Sequence, residues 1–165
     1  MAVSVTFAMD MTVRETLDTG VDGAASPVIN FSSLNVGDRL SATTTPVASK
    51  HNQDNVALVA GAKTIDLTAL TGAGGGTVTL SGLKVQLFRV SNRGTAALTV
   101  AKGASNGWSL WTSWTVTLPA YSGTGEYPTI MLYVPEGAED VDATHKTIDF
   151  TGTGTNTFDL SLAAG

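Results

Sequence analysis

Residues 83–102 read LKVQLFRVSNRGTAALTVAK and contain two runs in which apolar and polar side chains alternate. Strict alternation is the period-2 pattern of a β-strand with one buried face. In the first run Phe88 and Val90 add apolar side chains on the opposite face, so we expect that strand to be buried on both faces towards its end. Residues 91–94, Ser-Asn-Arg-Gly, are types that tolerate a tight turn. The segment is therefore predicted to be a central β-hairpin.

A six-residue sequence occurs twice, as KTIDLT in residues 63–68 and as KTIDFT in residues 146–151. Each copy is followed by a link rich in Gly and Thr and then by a short alternating strand. Two copies are too few for a solenoid. We interpret them as two similar hairpins of one sandwich or as the trace of a duplication; chance similarity between Thr-rich strands is the third alternative.

Other strands are predicted wherever short alternating or apolar runs lie between turn residues. The longest alternating run covers residues 3–13, whereas the polar residues 48–55, ASKHNQDN, are predicted to form an exposed loop. No helix longer than one turn is predicted. About ten short strands indicate an all-β fold, a β-sandwich or jelly roll with little or no helix. Residues 1–165 are long enough for one such domain.

The composition excludes several classes of function. Charged residues make up 14% of the chain, against about 25% in an ordinary soluble domain, which indicates a neutral surface. A net charge of -5 argues against binding to nucleic acid, and the absence of Cys removes disulfides and thiolate chemistry. No apolar run reaches the ~20 residues of a membrane span, and the N-terminus does not resemble a secretory signal. We therefore expect neither nucleic acid nor a membrane as a partner.

No group of residues predicts catalysis, a cofactor site or a metal site. His51 and His145 are interpreted as solvated loop histidines, because neither has the spacing of a metal site. Four carboxylates within residues 136–142 form either a solvated acidic turn or a calcium loop, or face a basic patch on a partner. The glycines of residues 72–76 precede a strand, so they predict a hairpin tip and no phosphate site. We predict that the protein is not an enzyme; a hydrolase that uses paired loop carboxylates is the alternative.

Two groups of apolar residues are candidates for interfaces. Residues 1–14 form either the first strand of a sheet or an extended arm that adds to the sheet of a neighbouring subunit. The aromatic concentration after residue 107 is core, a subunit interface or a carbohydrate site. The candidate residues are Val3, Val5, Phe7, Met9, Met11, Trp108, Trp111, Trp114 and Tyr121.

Three phrases, in residues 83–100, 103–107 (GASNG) and 117–120 (TLPA), resemble the small all-β virion proteins of tailed bacteriophages. The resemblance covers residues 63–165 and rests on the style and order of the strands. It implies a jelly-roll or sandwich subunit that decorates or cements a capsid, made in the host cytoplasm and incorporated into the virion. The implied partners are the major capsid protein or other virion subunits and further copies of the chain, with a trimer favoured. The alternative is a carbohydrate- or receptor-binding module of a head fibre or tail.

Overall fold

The computed structural model describes residues 4–9, 13–16, 28–31, 36–41, 43–45, 47–72, 75–134, 136 and 138–165. These residues form strands, turns and loops and include no helix, so the fold is all-β, as the sequence predicts. It follows that the described residues include no helix of the length and apolarity that a membrane span requires.

Fourteen strands are described, more than the sequence predicts. In chain order they are β1 Ser4–Met9, β2 Val13–Thr16, β3 Val28–Phe31, β4 Val36–Ser41, β5 Lys50–Ala57, β6 Ala62–Asp66, β7 Leu70–Thr71, β8 Thr77–Val78, β9 Val85–Asn92, β10 Leu98–Lys102, β11 Thr115–Leu118, β12 Thr129–Tyr133, β13 Thr147–Thr151 and β14 Thr157–Ala164. Three small sheets pair β1 with β4, β2 with β3, and β7 with β8.

Two four-stranded antiparallel sheets carry the core. Sheet 1 has the order β12-β9-β14-β5, and sheet 2 has the order β11-β10-β13-β6. Apolar side chains from both sheets form one buried cluster, in which the rings of Phe150 and Phe158 stack with their centroids 4.2 Å apart. This arrangement is compatible with the sandwich or jelly roll that the sequence predicts.

The predicted central hairpin is wrong, although both of its strands exist. Strand β9 pairs with β12 and β14, whereas β10 pairs with β11 and β13 in the other sheet. The side chain of Asn92 is buried and donates hydrogen bonds to the carbonyl oxygens of Ala96 (2.8 Å) and Pro119 (2.7 Å). Residues 93–97 therefore carry the chain from sheet 1 to sheet 2. The predicted burial of both faces of β9 is confirmed.

The two KTID copies pair with each other. Strands β6 and β13 are antiparallel neighbours with Ile65 opposite Ile148, and β14 lies in the other sheet from β13. The interpretation as two similar hairpins is therefore wrong. Lys146 Nζ donates to Asp66 Oδ2 across this ladder at 2.8 Å. Burial raises the pKa of Asp66, but hydrogen bonds from Lys146 and Thr68 outweigh burial and hold the pKa below its ordinary value.

The predicted loop at residues 48–55 is largely strand β5, whose neighbour in sheet 1 is β14. Asn52 and Asp54 lie opposite core residues of β14 and therefore face inwards, while His51 and Gln53 face outwards. Because the strand is polar on both faces, its sequence shows no alternation of apolar and polar residues. This absence of pattern explains why the sequence indicates a loop.

Strand β14 is central in sheet 1. It pairs with β5 over residues 157–164 and with β9 on its other side. The register with β9 shifts between Ala163 and Ala164, where Gln86 is the extra residue of a β-bulge.

Candidate interaction surfaces

The N-terminal strand packs on its own chain. Strand β1 pairs with β4, and Phe7 is buried in a second apolar cluster with Leu40, Leu87 and Ala163 on the outer face of sheet 1. The ring of Phe7 lies 4.4 Å from that of Tyr133, measured between centroids. Phe7 is therefore a core residue of the folded chain, which corrects its prediction as an interface residue.

The other predicted N-terminal interface residues differ in their placement. Val5 is half-buried against the same cluster, and Met9 lies in β1 opposite Val36. Val3 and Met11 lie outside the described residues.

Strands β2 and β3 form a second antiparallel pair in the N-terminal part of the chain. Strand β2 follows β1 and β3 precedes β4, and β2 pairs with β3 in a register that differs from that of β1 and β4 by one residue. Among the described strands, β2 and β3 have only each other as neighbours. The four strands therefore form two antiparallel pairs, which together we call the ribbon. Its base is the pair of β1 and β4, which lies on sheet 1, and its tip is the pair of β2 and β3.

The three tryptophans divide between core and surface. Trp108 is fully buried and Trp114 is 4% exposed, and both rings contact Phe88 at centroid distances of 6.2 and 5.9 Å. Trp111 is 52% exposed and lies against Trp114 at 6.5 Å. Trp108 and Trp114 are therefore core residues of this chain, which is one of the three alternatives that the sequence left open. Trp111 remains available to a partner.

The acidic loop is held by contacts of Glu139 with Trp108, Ser109 and His145. Trp108 Nε1 donates to the carbonyl oxygen of Glu139 at 2.9 Å, and the Glu139 carboxylate accepts the backbone N–H of Ser109. His145 lies between two carboxylates, 3.3 Å from Glu139 Oε1 and 3.2 Å from Asp142 Oδ1. His145 is thus an exposed loop histidine, as predicted, but it has two carboxylate partners that the sequence does not indicate.

Asp142 closes the turn that precedes the second KTID copy. Its Oδ1 accepts the backbone N–H groups of Thr144 and His145 at 2.6 and 2.8 Å. The hydrogen bonds from the Thr144 backbone and hydroxyl, followed by that from the His145 side chain, lower the pKa of Asp142 well below its ordinary value. Within the described part of the chain, no group of three or more His, Asp or Glu side chains is placed to hold a metal ion.

Tyr121 belongs to a cluster of aromatic and charged side chains. Its ring lies 4.5 Å from that of Tyr127, and the Arg93 guanidinium stands over the Tyr127 ring at 5.1 Å from the centroid. Arg93 Nη1 also lies 3.3 Å from both carboxylate oxygens of Asp159, and this hydrogen bonding raises the pKa of Arg93. Tyr121 is half-buried by these contacts. The cluster presents a cation and hydroxyl groups to solvent.

The outer face of sheet 2 is rich in threonine. Thr117, Thr99 and Thr151 are neighbours across three strands, and the hydroxyls of Thr99 and Thr117 are 3.1 Å apart. In the adjacent row the Thr64 hydroxyl donates to Asp149 Oδ1 at 2.6 Å. Apart from Asp149 these two rows carry no charge, in agreement with the neutral surface that the composition indicates.

A cleft of about 380 Å³ opens between β5 and β6. The two strands are joined by a tight turn at Ala60 and Gly61, which both have positive φ, and then diverge into different sheets. Asn52, Asp54 and Lys63 contribute polar groups to the walls of the cleft. Asn52 is 2% exposed, and its Oδ1 has no hydrogen-bond partner in the part of the chain that the structure describes.

Sequence reasoning identified the N-terminal strand and Trp111 but missed the ribbon and the cleft. The ribbon depends on pairing between residues far apart in the chain, and the cleft depends on the divergence of β5 and β6. No protein-family model and no curated protein matches the chain.

Proposed function

We propose that the chain is a non-enzymatic virion structural protein that decorates or cements the capsid of a tailed bacteriophage. The observation that carries the proposal is the ribbon, whose base packs on sheet 1 and whose tip strands β2 and β3 have only each other as neighbours among the described strands. The neutral threonine-rich face of sheet 2 is further support, because a subunit interface needs a surface with few charges to desolvate.

In this proposal the ribbon tip binds the major capsid protein. Each of β2 and β3 has one paired edge among the described strands, and its other edge offers backbone N–H and C=O groups to an added strand. Binding to the assembled shell and not to free subunits would stabilise the shell by mass action. A stable contact of this kind buries at least about 1,000 Å² in total, which a ribbon and one sheet face together can supply.

The test removes the tip and keeps the base. Met9 and Val36 are opposite each other in the ladder, so an Asn-Gly turn joining them replaces residues 10–35 without disturbing the packing of Phe7. Cosedimentation with capsids assembled from the major capsid protein of the same virus measures binding, and thermal unfolding measures the fold. We expect binding to be lost and the melting temperature to stay within a few degrees. Full binding by the shortened chain would refute the proposal.

A second candidate function is carbohydrate binding, which the exposed ring of Trp111 favours. A glycan screen with the wild-type chain and with Trp111→Ala separates the two functions. Glycan binding that the substitution abolishes would favour this second candidate, whereas the shell proposal predicts that neither chain binds a glycan.

A further inference from the structure

The two lateral sides of the sandwich differ in the residues that face inwards. On one side β5 and β6 are the edge strands, and their inward residues include Asn52, Asp54 and Lys63. Charged residues that point inwards on an edge strand oppose the addition of another strand, because pairing would bury them. This side is therefore protected against association.

The opposite side has the edge strands β11 and β12 and lacks this protection. Neither strand contains a charged residue. Val116, Ile130 and Leu132 pack against the main core from these two strands, yet each of them is only half-buried. The side therefore exposes an apolar seam between two sheets, of the kind that another strand or subunit can cover.

The backbone of β12 is ready to pair on its open edge. Towards β9, the carbonyl oxygen of Pro128 accepts from Asn92 N at 2.8 Å and Val134 N donates to Gln86 O at 2.8 Å. Hydrogen bonding alternates along an antiparallel strand, so the even-numbered residues of β12 bond to β9. The N–H and C=O of Thr129 and Met131 consequently point away from β9, where no described strand lies.

We propose that two copies of the chain associate through β12, which pairs with itself antiparallel about a two-fold axis at Met131. This register places the outward backbone groups of the two copies opposite each other, because both sets belong to odd-numbered residues. It also places Ile130 opposite Leu132 of the second copy on the inner face, which extends the core across the axis. Sheet 1 then becomes a continuous sheet of eight strands, twice the four of one copy.

A second copy fits this edge better than an unrelated partner for two reasons. An antiparallel edge is complementary to itself at a two-fold axis, and so needs no second sequence. The chain has a net charge of -5, and the uncharged β12 brings no like charges into contact. The inference gives a dimer where the resemblance implied a trimer, and it leaves the ribbon tip free. Loss of pairing through β12 and loss of shell binding are therefore separate results.

Light scattering across a dilution series of the full chain tests the inference. We expect the wild type to have twice the 16.9 kDa mass of one chain. Met131→Lys and Met131→Asp should each raise the dissociation constant at least about 100-fold, since each places two like charges at the axis. An equimolar mixture of the two variants should restore the double mass, because Lys and Asp then face each other. A mass of one or three chains for the wild type, or a mixture that stays monomeric, would overturn the proposal.

Two further measurements separate association from unfolding. Gln53→Lys places a positive charge, as Met131→Lys does, on an outward residue of β5, the other edge strand of sheet 1. This variant should leave the mass in solution unchanged. In the wild-type chain, hydrogen exchange at the Met131 N–H should slow on concentration and speed up on dilution, while the Gln53 N–H exchanges rapidly throughout. Rapid exchange at Met131 at every concentration would contradict pairing through β12 even if the variants failed to fold.

Discussion

Replacing Asn92 by alanine tests the claim that one buried amide holds the crossover between the sheets. The Asn92 side chain is fully buried and its Nδ2 donates to Ala96 O at 2.8 Å and to Pro119 O at 2.7 Å. Its Oδ1 accepts from Gly94 N at 3.1 Å and from Asn156 Nδ2 at 3.2 Å. The amide thus connects the crossover to the end of β11 and to the loop before β14.

The magnitude follows from the groups that lose a partner. The Ala96 carbonyl keeps a second donor, Asn156 Nδ2 at 3.0 Å, whereas the Pro119 carbonyl and the Gly94 N–H have no other partner among the described residues. An unsatisfied buried group costs about 1–3 kcal/mol. The contacts of Asn92 with Pro119 and Gly94 are part-buried, so water recovers part of that cost. We therefore expect Asn92→Ala to lower the free energy of unfolding by about 3 kcal/mol.

Urea unfolding followed by tryptophan fluorescence measures this change, since Trp108 and Trp114 are buried. Asn55→Ala is the matched control: its Nδ2 donates to Asp159 at 2.8 Å on the exposed face of sheet 1, and we expect a change within about 0.5 kcal/mol. A loss of less than about 1 kcal/mol for Asn92→Ala, or a loss equal to that of the control, would refute the reasoning.

Three other outcomes are expected. In urea unfolding, Gly94→Ala lowers the free energy of unfolding by more than about 2 kcal/mol, because the new Cβ would overlap the side-chain oxygen of Asn156. Gly76→Ala, whose Cβ would have no described atom within 4 Å, lowers it by less than about 0.5 kcal/mol. In the same assay, Trp114→Ala lowers the free energy of unfolding by about 3–5 kcal/mol, because Trp114 is buried, and substitution of the exposed Trp111 by alanine lowers it by less than about 1 kcal/mol. Asp142→Asn lowers the melting temperature at pH 7, because the lowered pKa of Asp142 in the folded chain stabilises the fold at any pH above the ordinary pKa of 3.8. Below pH 3.8 this stabilisation is lost as the pH falls, so the difference in melting temperature between the two chains narrows.

Strand positions were predictable from the sequence because side-chain periodicity is a local property. Strand β9 lies in the first alternating run of residues 83–102, and β1 lies within the alternating run of residues 3–13. Strand β5 escaped prediction because its inward positions carry Asn52 and Asp54, which remove the alternation. In the inference above, the same two polar residues oppose the addition of another strand to this edge of sheet 1. The residues that oppose association are therefore also the reason why the sequence does not indicate a strand here.

Strand pairing was not predictable, because it depends on contacts between distant residues. Residues 91–94 suit a tight turn by type, yet Ser91 and Asn92 end strand β9, and the buried Asn92 side chain holds the crossover of residues 93–97. The two KTID copies form neighbouring strands of sheet 2, which no local pattern indicates. For the candidate surfaces, the sequence identified the aromatic residues but could not divide Trp108 and Trp114 from the exposed Trp111.

The central position of β14 sets the order of events during synthesis. This strand separates β5 from β9 in sheet 1, so those two strands cannot take their final places until residues 157–164 have left the ribosome. At about 5–20 residues per second, β5 waits on the order of ten seconds for that partner. During this interval the polar residues of β5 keep it from pairing with other nascent chains. Only a chain translated through β14 can complete sheet 1, so products truncated earlier are excluded from any assembly that requires the finished sheet.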